Sequence, residues 1–381
     1  MTQVAQNSDA VRRQYSDPHR NRAMKVEDRW HRFRLKVAKR RQQDVTVLSM
    51  TGYGTQRWVR VFSRVVMAPH SHFENGRRVA KVIADGVRGW RNFVSAPVPF
   101  AEVSITAGGT TVEVVADRGG IVDTVIEADL DPGWQPVTLK SPGAAPTTAE
   151  VHIIADGAST GVVCDVDDTV VVTKLPRPVL AAWNSFVLDE HARTPTPGMA
   201  VVMERLLNRF EGAPVIYIST GAWNVAQTLT RFLTRNLYPR GPLLLTDWGP
   251  TEDRWFRSGK QHKEEQLEQL AQDFPHMSWV LIGDDGQHDP TIYADFARRH
   301  PASVSAVIIR QLTYSEALLA GGRANDPDSE ELLGAGDRDR GRDRDHHPTG
   351  YQEIGDRRIP WIYGPDGKDI ADKLQALGLL K

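Results

Sequence analysis

The hydrophobic periodicity of this chain changes after Gly161, and this change limits the folds that the chain can adopt. Before it, apolar and polar residues alternate in short runs that turn residues separate, a pattern typical of antiparallel strands. After it, apolar strand-like runs alternate with helical patterns, which predicts a mainly parallel sheet covered on both faces. The 381 residues are therefore expected to form an α/β domain that follows an all-β domain.

The first region, residues 45–155, is predicted to be an all-β, sandwich-like domain. The Asp131-Pro132-Gly133 run and two glycine pairs mark its turns. No catalytic cluster is recognisable in it, so its expected role is structural support or recognition. Its predicted strands are 58–67, 101–107, 111–116, 122–126, 136–140 and 149–154.

The second region, residues 156–381, is predicted to hold the ligand site, because ligands of parallel α/β sheets lie beyond the carboxyl ends of the strands. Residues 321–350, which include DRDRGRDRD, are interpreted as a charged, solvated loop. Its aspartates alternate with arginine and the closing glutamate of a calcium loop is missing, so calcium binding is not expected. The predicted strands are 162–166, 215–219, 243–246, 279–283, 304–309 and 359–363, and the main helices are 199–210, 225–236, 263–273 and 293–300.

The start of the chain, residues 1–44, is predicted to be a disordered stretch followed by a basic amphipathic helix. Val26, Trp30, Phe33 and Val37 form an apolar stripe, and residues 11–41 carry a net charge of +9 against −1 for the whole chain. Two interpretations stay open: residues 20–41 meet anionic lipid head groups, or the stripe packs on the next domain. Nucleic acid is not an expected partner, because no matching motif or aromatic context accompanies the charge.

The cysteine content of the chain fits a reducing compartment. Cys164 is the one cysteine, which excludes an internal disulfide and a zinc site built from cysteines. No apolar run is long enough to span a bilayer and no secretory core is recognisable, so the expected location is cytoplasmic, with peripheral contact at the inner face of the membrane.

The run Asp165-Val166-Asp167-Asp168-Thr169 places three carboxylates at the end of an apolar strand. Burying like charges this close together is prohibitive without a cation, and magnesium prefers such oxygen ligands. Two of the carboxylates can also divide the chemistry, one attacking phosphorus and the other moving protons. The pattern alone does not decide the reaction, because aspartate pairs also hold metals in nucleotide-sugar transferases.

Three further segments favour phosphoryl transfer among the reactions that the carboxylates could carry out. Ser219 and Thr220 follow a strand where hydroxyls and backbone N–H groups can hold phosphoryl oxygens. Lys263 lies on a predicted helix and can balance phosphate charge; Lys260 competes with it but fits the helix face less well. A second acidic strand end follows residue 283. Each segment also has a structural interpretation, as a helix cap, a solvated charge or loop acids.

These segments resemble the four motifs of the haloacid dehalogenase superfamily. GVVCDVDDTV, VIYISTGAWN, the HK of GKQHKEEQLEQL, and LIGDDGQHDPTIY resemble, more closely, the catalytic domain of actin-patch-type phosphatidate phosphatases and their bacterial relatives. The resemblance covers most of residues 45–315 and implies a parallel, Rossmann-like haloacid dehalogenase sheet. Two departures concern the phosphate pocket: Thr220-Gly221-Ala222 replaces the usual Asn-Ser-Pro, and Asp285 stands where serine is common.

The resemblance also implies a role for each residue of the site. Asp165 is expected to be the nucleophile and a metal ligand, and Asp167 the general acid and base with its backbone carbonyl on the metal. Ser219 and Thr220 are expected to bind phosphate, and Lys263 to balance its charge. Asp284 is expected to bind the metal. Asp285 and Asp289 are expected to surround the metal ligands without binding the metal themselves.

The function expected from the resemblance is magnesium-dependent hydrolysis of phosphatidate at a membrane surface. A phosphatase of soluble phosphomonoesters is the alternative enzyme, and a non-catalytic module that binds phosphate or lipid head groups is a third possibility. Binding alone does not require Asp167, which argues against that module. Residues 174–200, with Trp183 and Phe186, are expected either to cover the site or to form core helix.

Overall fold

The computed structural model describes residues 40, 43–68, 95–172, 194–210, 212–246, 259–286, 288–313, 316 and 349–380. Nearly all of residues 1–44, residues 174–193 with Trp183 and Phe186, and residues 321–348 of the charged loop lie outside these ranges. The predictions made for them stay predictions.

Two compact units make up the chain. The first comprises residues 1–156, 221–230 and 245–258, and the second comprises 157–220, 231–244 and 259–381. The predicted domain limits at 44/45 and 155/156 stay predictions. The chain combines two large mixed sheets with a smaller number of helices, which confirms the predicted α/β class.

A nine-stranded sheet organises the first unit. The strand order is β1-β3-β2-β9-β8-β5-β6, and β4 and β7 also pair with β3. The pairs are antiparallel except for β2 with β9, which run parallel. The strands are β1 (Asp44–Ser49), β2 (Gly52–Gly54), β3 (Trp58–Ala68), β4 (Ala96–Pro97), β5 (Glu102–Ala107), β6 (Thr110–Val115), β7 (Ile121–Glu127), β8 (Gly133–Lys140) and β9 (Thr147–Ile153).

The core of this unit follows from the alternating pattern of its strands. In β5, Val103, Ile105 and Ala107 are buried while Glu102 is exposed, as period-two alternation requires. These side chains join valines of β3 and β9 in one apolar cluster. Each fully buried valine or isoleucine contributes about 1.5–3 kcal/mol relative to its exposed state, so the cluster stabilises this pairing register.

A seven-stranded sheet organises the second unit. Its order is β14-β13-β10-β15-β16-β18-β17, with β10, β13, β15, β16 and β18 parallel and β17 antiparallel to β18. The strands are β10 (Thr160–Asp165), β13 (Val215–Ala222), β14 (Leu243–Thr246), β15 (Ser278–Asp284), β16 (Val304–Arg310), β17 (Gly350–Ile354) and β18 (Arg357–Gly364), and a small ladder joins β11 (Val171–Val172) to β12 (Thr194–Pro195).

Helices alternate with these strands, as the periodicity predicts. They are α1 (Met199–Arg209), α2 (Ala226–Arg235), α3 (Gly259–Asp273), α4 (Asp289–Arg299) and α5 (Gly367–Ala376), with short 3-10 turns at Trp223–Val225 and Pro301–Ser303. Within the described part of the chain, no helix has the length and apolar character needed to cross a bilayer.

The parallel strands bring the polar strand ends to one edge of the second sheet. All six residues of β10 are buried, which is the pattern of a central strand covered on both faces. In the strand registers, Asp165 is the partner of Ile218 and Asp284 is the partner of Arg310. The carboxyl ends of β10, β13, β15 and β16 therefore meet where a ligand site is expected.

Candidate active site

The acidic turn after β10 presents Asp165 inside the protein. Its side chain is 1% exposed, and the Thr169 hydroxyl donates to Asp165 Oδ2 at 3.3 Å. The amides of Val170 and Val171 both donate to the Val166 carbonyl at 3.1 Å, which closes the turn. The sharp reversal places Asp168 in the left-handed region, with φ of 57°.

Lys263 reaches this turn from α3. Its ammonium lies 2.7 Å from Asp165 Oδ1 and 2.5 Å from Asp289 Oδ1, and the side chain is 6% exposed. The competing Lys260 is on the exposed side of the same helix and pairs with Glu264 at 3.9 Å. The structure therefore places Lys263, and not Lys260, among the carboxylates.

The second acidic strand end, at the close of β15, supplies Asp284. Asp284 is fully buried, and its Oδ1 accepts a hydrogen bond from the Gly286 amide at 2.8 Å. One carboxylate oxygen each from Asp165, Asp284 and Asp289 lie within 4.8 Å of one another. Asp289, expected only to surround the ligands, thus lies in the cluster itself. Asp285 lies outside it: its side chain is exposed and accepts from the Leu312 amide at 2.8 Å.

Asp289 comes this close because α4 begins directly against β15. Its Oδ2 accepts a hydrogen bond from the Asp284 amide at 3.3 Å. Gly283 permits the approach, since a Cβ at that position would overlap the Asp289 carboxylate. The sequence signal that identifies this position is the Gly-Asp pair at a strand end, followed by another aspartate at the next helix start.

Asp167 lies on the β13 side of the turn. The hydroxyls of Ser219 and Thr220 donate to Asp167 Oδ2 at 2.9 and 3.5 Å. Ser219 is fully buried, whereas Asp167 and Thr220 are half-buried. The structure therefore groups the two hydroxyls predicted to bind phosphate with the carboxylate predicted to move protons.

Burial dominates the electrostatics of the cluster. It raises the pKa of Asp165 above its ordinary value, with Lys263 acting in the opposite direction and Asp289 adding to the rise. Burial likewise raises the pKa of Asp284, again with Asp289 adding to it. For Lys263, burial alone would lower the pKa, but the carboxylates of Asp165 and Asp289 outweigh it and raise the pKa.

The donor set fits a divalent cation bound by oxygen. With their three carboxylates ionised, Asp165, Asp284 and Asp289 outweigh the Lys263 ammonium by two negative charges. Asp284 Oδ2 is buried and has no hydrogen-bond partner among the residues that the structure describes. A buried oxygen without a donor is costly, and a hard cation such as magnesium would satisfy it.

Arg310 is a residue near the cluster that the sequence patterns do not identify. It ends β16, its side chain is 4% exposed, and its Nη1 donates to the Asp168 carbonyl at 2.6 Å. Its partner is a backbone carbonyl 142 positions earlier, and such a contact cannot be recognised from periodicity or motif spacing.

Comparison with known proteins gives a family match over this site. Residues 160–311 match the family model described as phosphatidate phosphatase APP1, catalytic domain. Phosphatidate phosphatase APP1 from Saccharomyces cerevisiae is 22% identical over 151 residues, which is 39% of this chain and 25% of that protein. The resemblance drawn from the sequence is confirmed for this span, and the chain spans about a quarter of the length of that relative.

Similarity to solved structures is low. A carbohydrate acetylesterase from Xanthomonas citri aligns with a TM-score of 0.26 and 8% identity, over 70% of this chain and 68% of that chain. A β-glucuronidase from Parabacteroides merdae aligns with a TM-score of 0.19 and 9% identity, over 70% of this chain and 33% of that chain. Such scores bear on neither fold nor function.

Proposed function

We propose that this chain is a magnesium-dependent phosphatase that hydrolyses phosphatidate to diacylglycerol and phosphate through an aspartyl-phosphate intermediate. The observation that carries the proposal is the buried cluster of Asp165, Lys263 and Asp284, which falls inside the span that matches a phosphatidate phosphatase catalytic domain. The proposal includes a Rossmann-like, haloacid dehalogenase type of fold for the second unit and a sandwich-like fold for the first. The parallel order of β10, β13, β15 and β16 supports the former.

The proposed magnesium ligands are the carboxylates of Asp165, Asp284 and Asp289 and the backbone carbonyl of Asp167. The unpartnered Asp284 Oδ2 and the net negative charge of the cluster support this set. Bound there, magnesium would supply positive charge to the phosphoryl oxygens. Asp285, exposed and bonded to the Leu312 amide, would support the loop without binding the metal.

The first proposed step transfers the phosphoryl group to the protein. A carboxylate oxygen of Asp165 attacks phosphorus in line, and the bond from phosphorus to the diacylglycerol oxygen breaks. Asp167 gives its proton to that departing oxygen. Lys263, held against Asp165 at 2.7 Å, keeps the attacking carboxylate in place and would offset negative charge on the equatorial phosphoryl oxygens.

The second proposed step releases phosphate. Asp167 takes a proton from a water molecule, whose oxygen attacks phosphorus, and the bond from phosphorus to Asp165 breaks. Ser219 holds the Asp167 carboxylate at 2.9 Å, which supports a proton transfer from a fixed position. Each hydroxyl carries one proton, so Thr220, whose contact with Asp167 is the longer one at 3.5 Å, would turn its hydroxyl from Asp167 to a phosphoryl oxygen, while Ser219 could do the same only by releasing Asp167.

A lipid substrate is supported by the family match and by the basic character of the chain start. A net charge of +9 in residues 11–41 would draw the protein to an anionic membrane. We therefore propose action at the cytoplasmic membrane surface, with residues 20–41 as the contact.

The deciding experiment assays the full chain with magnesium on phosphatidate in mixed micelles and on p-nitrophenyl phosphate. Asp165→Asn should lose roughly 10³-fold or more in kcat, because the amide is a poor nucleophile. The matched control is Asp356→Asn, an exposed aspartate in the turn between β17 and β18, which should keep full activity. Phosphate release that survives Asp165→Asn would contradict the nucleophile, and turnover of the soluble ester alone would contradict the lipid substrate.

Membrane contact is tested separately by vesicle co-sedimentation of the full chain. Replacing Arg32, Arg34 and Lys36 together with glutamine should weaken binding to vesicles containing phosphatidylserine, since each basic residue near such a surface is worth about 1 kcal/mol. Unchanged binding would show that residues 20–41 are not the membrane contact, and it would not bear on the proposed hydrolysis.

A further inference from the structure

The turn that carries the catalytic carboxylates contains a residue in an unfavourable conformation. Asp168 is buried and has φ of 57°, in the left-handed region that an L-residue adopts at some cost, although aspartate visits it more often than most residues. Such a conformation persists only where surrounding contacts hold it. The contacts that hold it are therefore part of what positions Asp165 and Asp167.

The clearest of these contacts is Arg310. Nη1 donates to the Asp168 carbonyl at 2.6 Å, and Nη2 donates to Glu316 Oε1 at 2.8 Å. Hydrogen bonds from a guanidinium are about twice as strong as those between neutral groups, and the forked geometry fixes the direction of both. Because Arg310 is buried, water competes little for these donors.

Glu316 is itself held in place. Its Oε2 accepts hydrogen bonds from both the amide and the hydroxyl of Thr313 at 2.9 Å. Burial opposes its ionised form, but the hydrogen bond from Arg310 is among the contacts that lower the pKa of Glu316 below its ordinary value. Glu316 therefore orients the guanidinium toward Asp168.

The backbone of Arg310 contacts the other acidic strand end. The Asp285 amide donates to the Arg310 carbonyl at 3.0 Å, and the Leu312 amide donates back to Asp285 Oδ1 at 2.8 Å. The carboxyl end of β16, where Arg310 lies, thus contacts both the turn after Asp165 and the loop after Asp284. Without such a link, the like charges of the two acidic segments would favour their separation.

We propose that Arg310, oriented by Glu316, is a positioning residue for phosphoryl transfer: it links the two acidic strand ends and fixes the turn that carries Asp165 and Asp167. This inference rests on the proposed phosphatase function. Because the Arg310 guanidinium is bonded to the Asp168 carbonyl and to Glu316, its loss is expected to misplace the reacting carboxylates and to leave substrate binding in place. A second anchor, the Tyr238 hydroxyl on the Val170 carbonyl at 3.0 Å, keeps the turn attached in its absence.

The kinetic test compares Arg310→Met, Arg310→Lys and Glu316→Gln with the wild-type chain, using p-nitrophenyl phosphate and magnesium. Misplacement predicts a fall in kcat on the order of 10- to 100-fold for Arg310→Met, with KM changed by no more than about 2-fold. Arg310→Lys should recover only part of the loss, because one ammonium cannot reproduce the fork. Arg298→Met, which removes a half-exposed arginine of α4, is the matched control and should match wild type.

Hydrogen exchange read by mass spectrometry tests the link without activity. In Arg310→Met, the amides of Val170 and Val171 should exchange faster, while those of Val162 and Val163 in β10 keep wild-type protection. Wild-type kcat in Arg310→Met, or exchange that rises throughout β10, would overturn the positioning role. An inactive wild-type chain would refute the proposed phosphatase function and with it the positioning role, whereas activity in the wild type with unchanged exchange at Val170 and Val171 would refute the link alone.

Discussion

The ammonium of Lys263 lies between the carboxylates of Asp165 and Asp289 and is nearly excluded from water. Lys263→Met should lower kcat by roughly 10²- to 10³-fold, because it removes a fixed positive charge from the reacting centre. It should also lower stability, because breaking a buried ion pair leaves carboxylates without a partner and costs about 3–5 kcal/mol.

Lys260→Met is the matched control, since Lys260 is on the same helix but at the exposed surface. Steady-state kinetics and thermal unfolding of both variants give the comparison. Equal losses of activity in the two variants would show that the position of Lys263 is not what matters.

His152 gives a prediction about pH. It stacks on Trp134, with ring centroids 4.8 Å apart, and burial lowers its pKa below the ordinary value. The folded state therefore favours the neutral ring. Its contribution to stability is complete above the unfolded pKa of about 6.5 and is lost as the pH falls through the lower folded pKa.

Two measurements test this. An NMR titration of His152 should give a midpoint below about 6.5, and His152→Gln should reduce the loss of stability between pH 7 and pH 5. The exposed His276, changed to glutamine, serves as the comparison. A midpoint at or above that of the free imidazole would show that burial does not control this ring.

For individual residues, the sequence predicts which side chains belong to the site better than it predicts what those side chains contact. Asp165 and Asp284 were identifiable because each ends an apolar strand, and Lys263 because it lies near the start of a helix between them in the sequence. Asp289 was predicted to lie around the metal ligands, whereas the structure places its carboxylate in one cluster with Asp165 and Asp284. That closeness depends on how tightly α4 packs against Gly283, which the sequence does not reveal. Arg310 was missed because its partner is a backbone carbonyl, which carries no residue identity.

At the scale of elements, the contact between α4 and β15 sets the position of Asp289. Gly283→Ala introduces a Cβ that would overlap the Asp289 carboxylate, so the helix start must shift. We expect magnesium affinity, measured by isothermal titration calorimetry, to fall on the order of 10-fold or more while the sheet stays folded.

Gly157→Ala is the control for that substitution, because a Cβ there would meet no atom within 4 Å and the backbone is not left-handed. It should bind magnesium as the wild-type chain does. Wild-type affinity in Gly283→Ala would instead mean that Asp289 does not take part in binding the metal.

The elements themselves were largely predictable. The strand predicted at 243–246 is β14, and the helix predicted at 199–210 differs from α1 by one residue. Helix starts were less accurate: α3 begins at Gly259, four residues before the predicted start at Lys263. The buried side of α3 holds polar residues, His262 and Lys263, so the hydrophobic pattern that marks a helix is missing from its first turn.

For the whole molecule, the proposed cation couples the site to stability. A ligand that binds only the folded state stabilises it, by about 2.7 kcal/mol at 100 times its dissociation constant. Magnesium should therefore raise the unfolding temperature of the wild-type chain, and excess EDTA should reverse the effect.

Asp284→Asn distinguishes the effect of the cation on stability from the effect of the protein's own charges. It should abolish the stabilisation by magnesium and, without magnesium, unfold at or above the wild-type temperature, because one of three neighbouring negative charges is gone. A magnesium effect of equal size in both proteins would place the cation elsewhere.

The parallel pairing of β2 with β9 joins residues about a hundred positions apart, and β3 pairs with four different strands. During synthesis, β3 emerges long before β7 and β9 can cover it. Because late closure of distant strands slows folding, the nascent chain exposes the apolar face of β3 until residue 153 has left the ribosome. We therefore expect its yield in a cell to depend on chaperones that shield this strand during translation, and we expect aggregation to begin when synthesis pauses before residue 147.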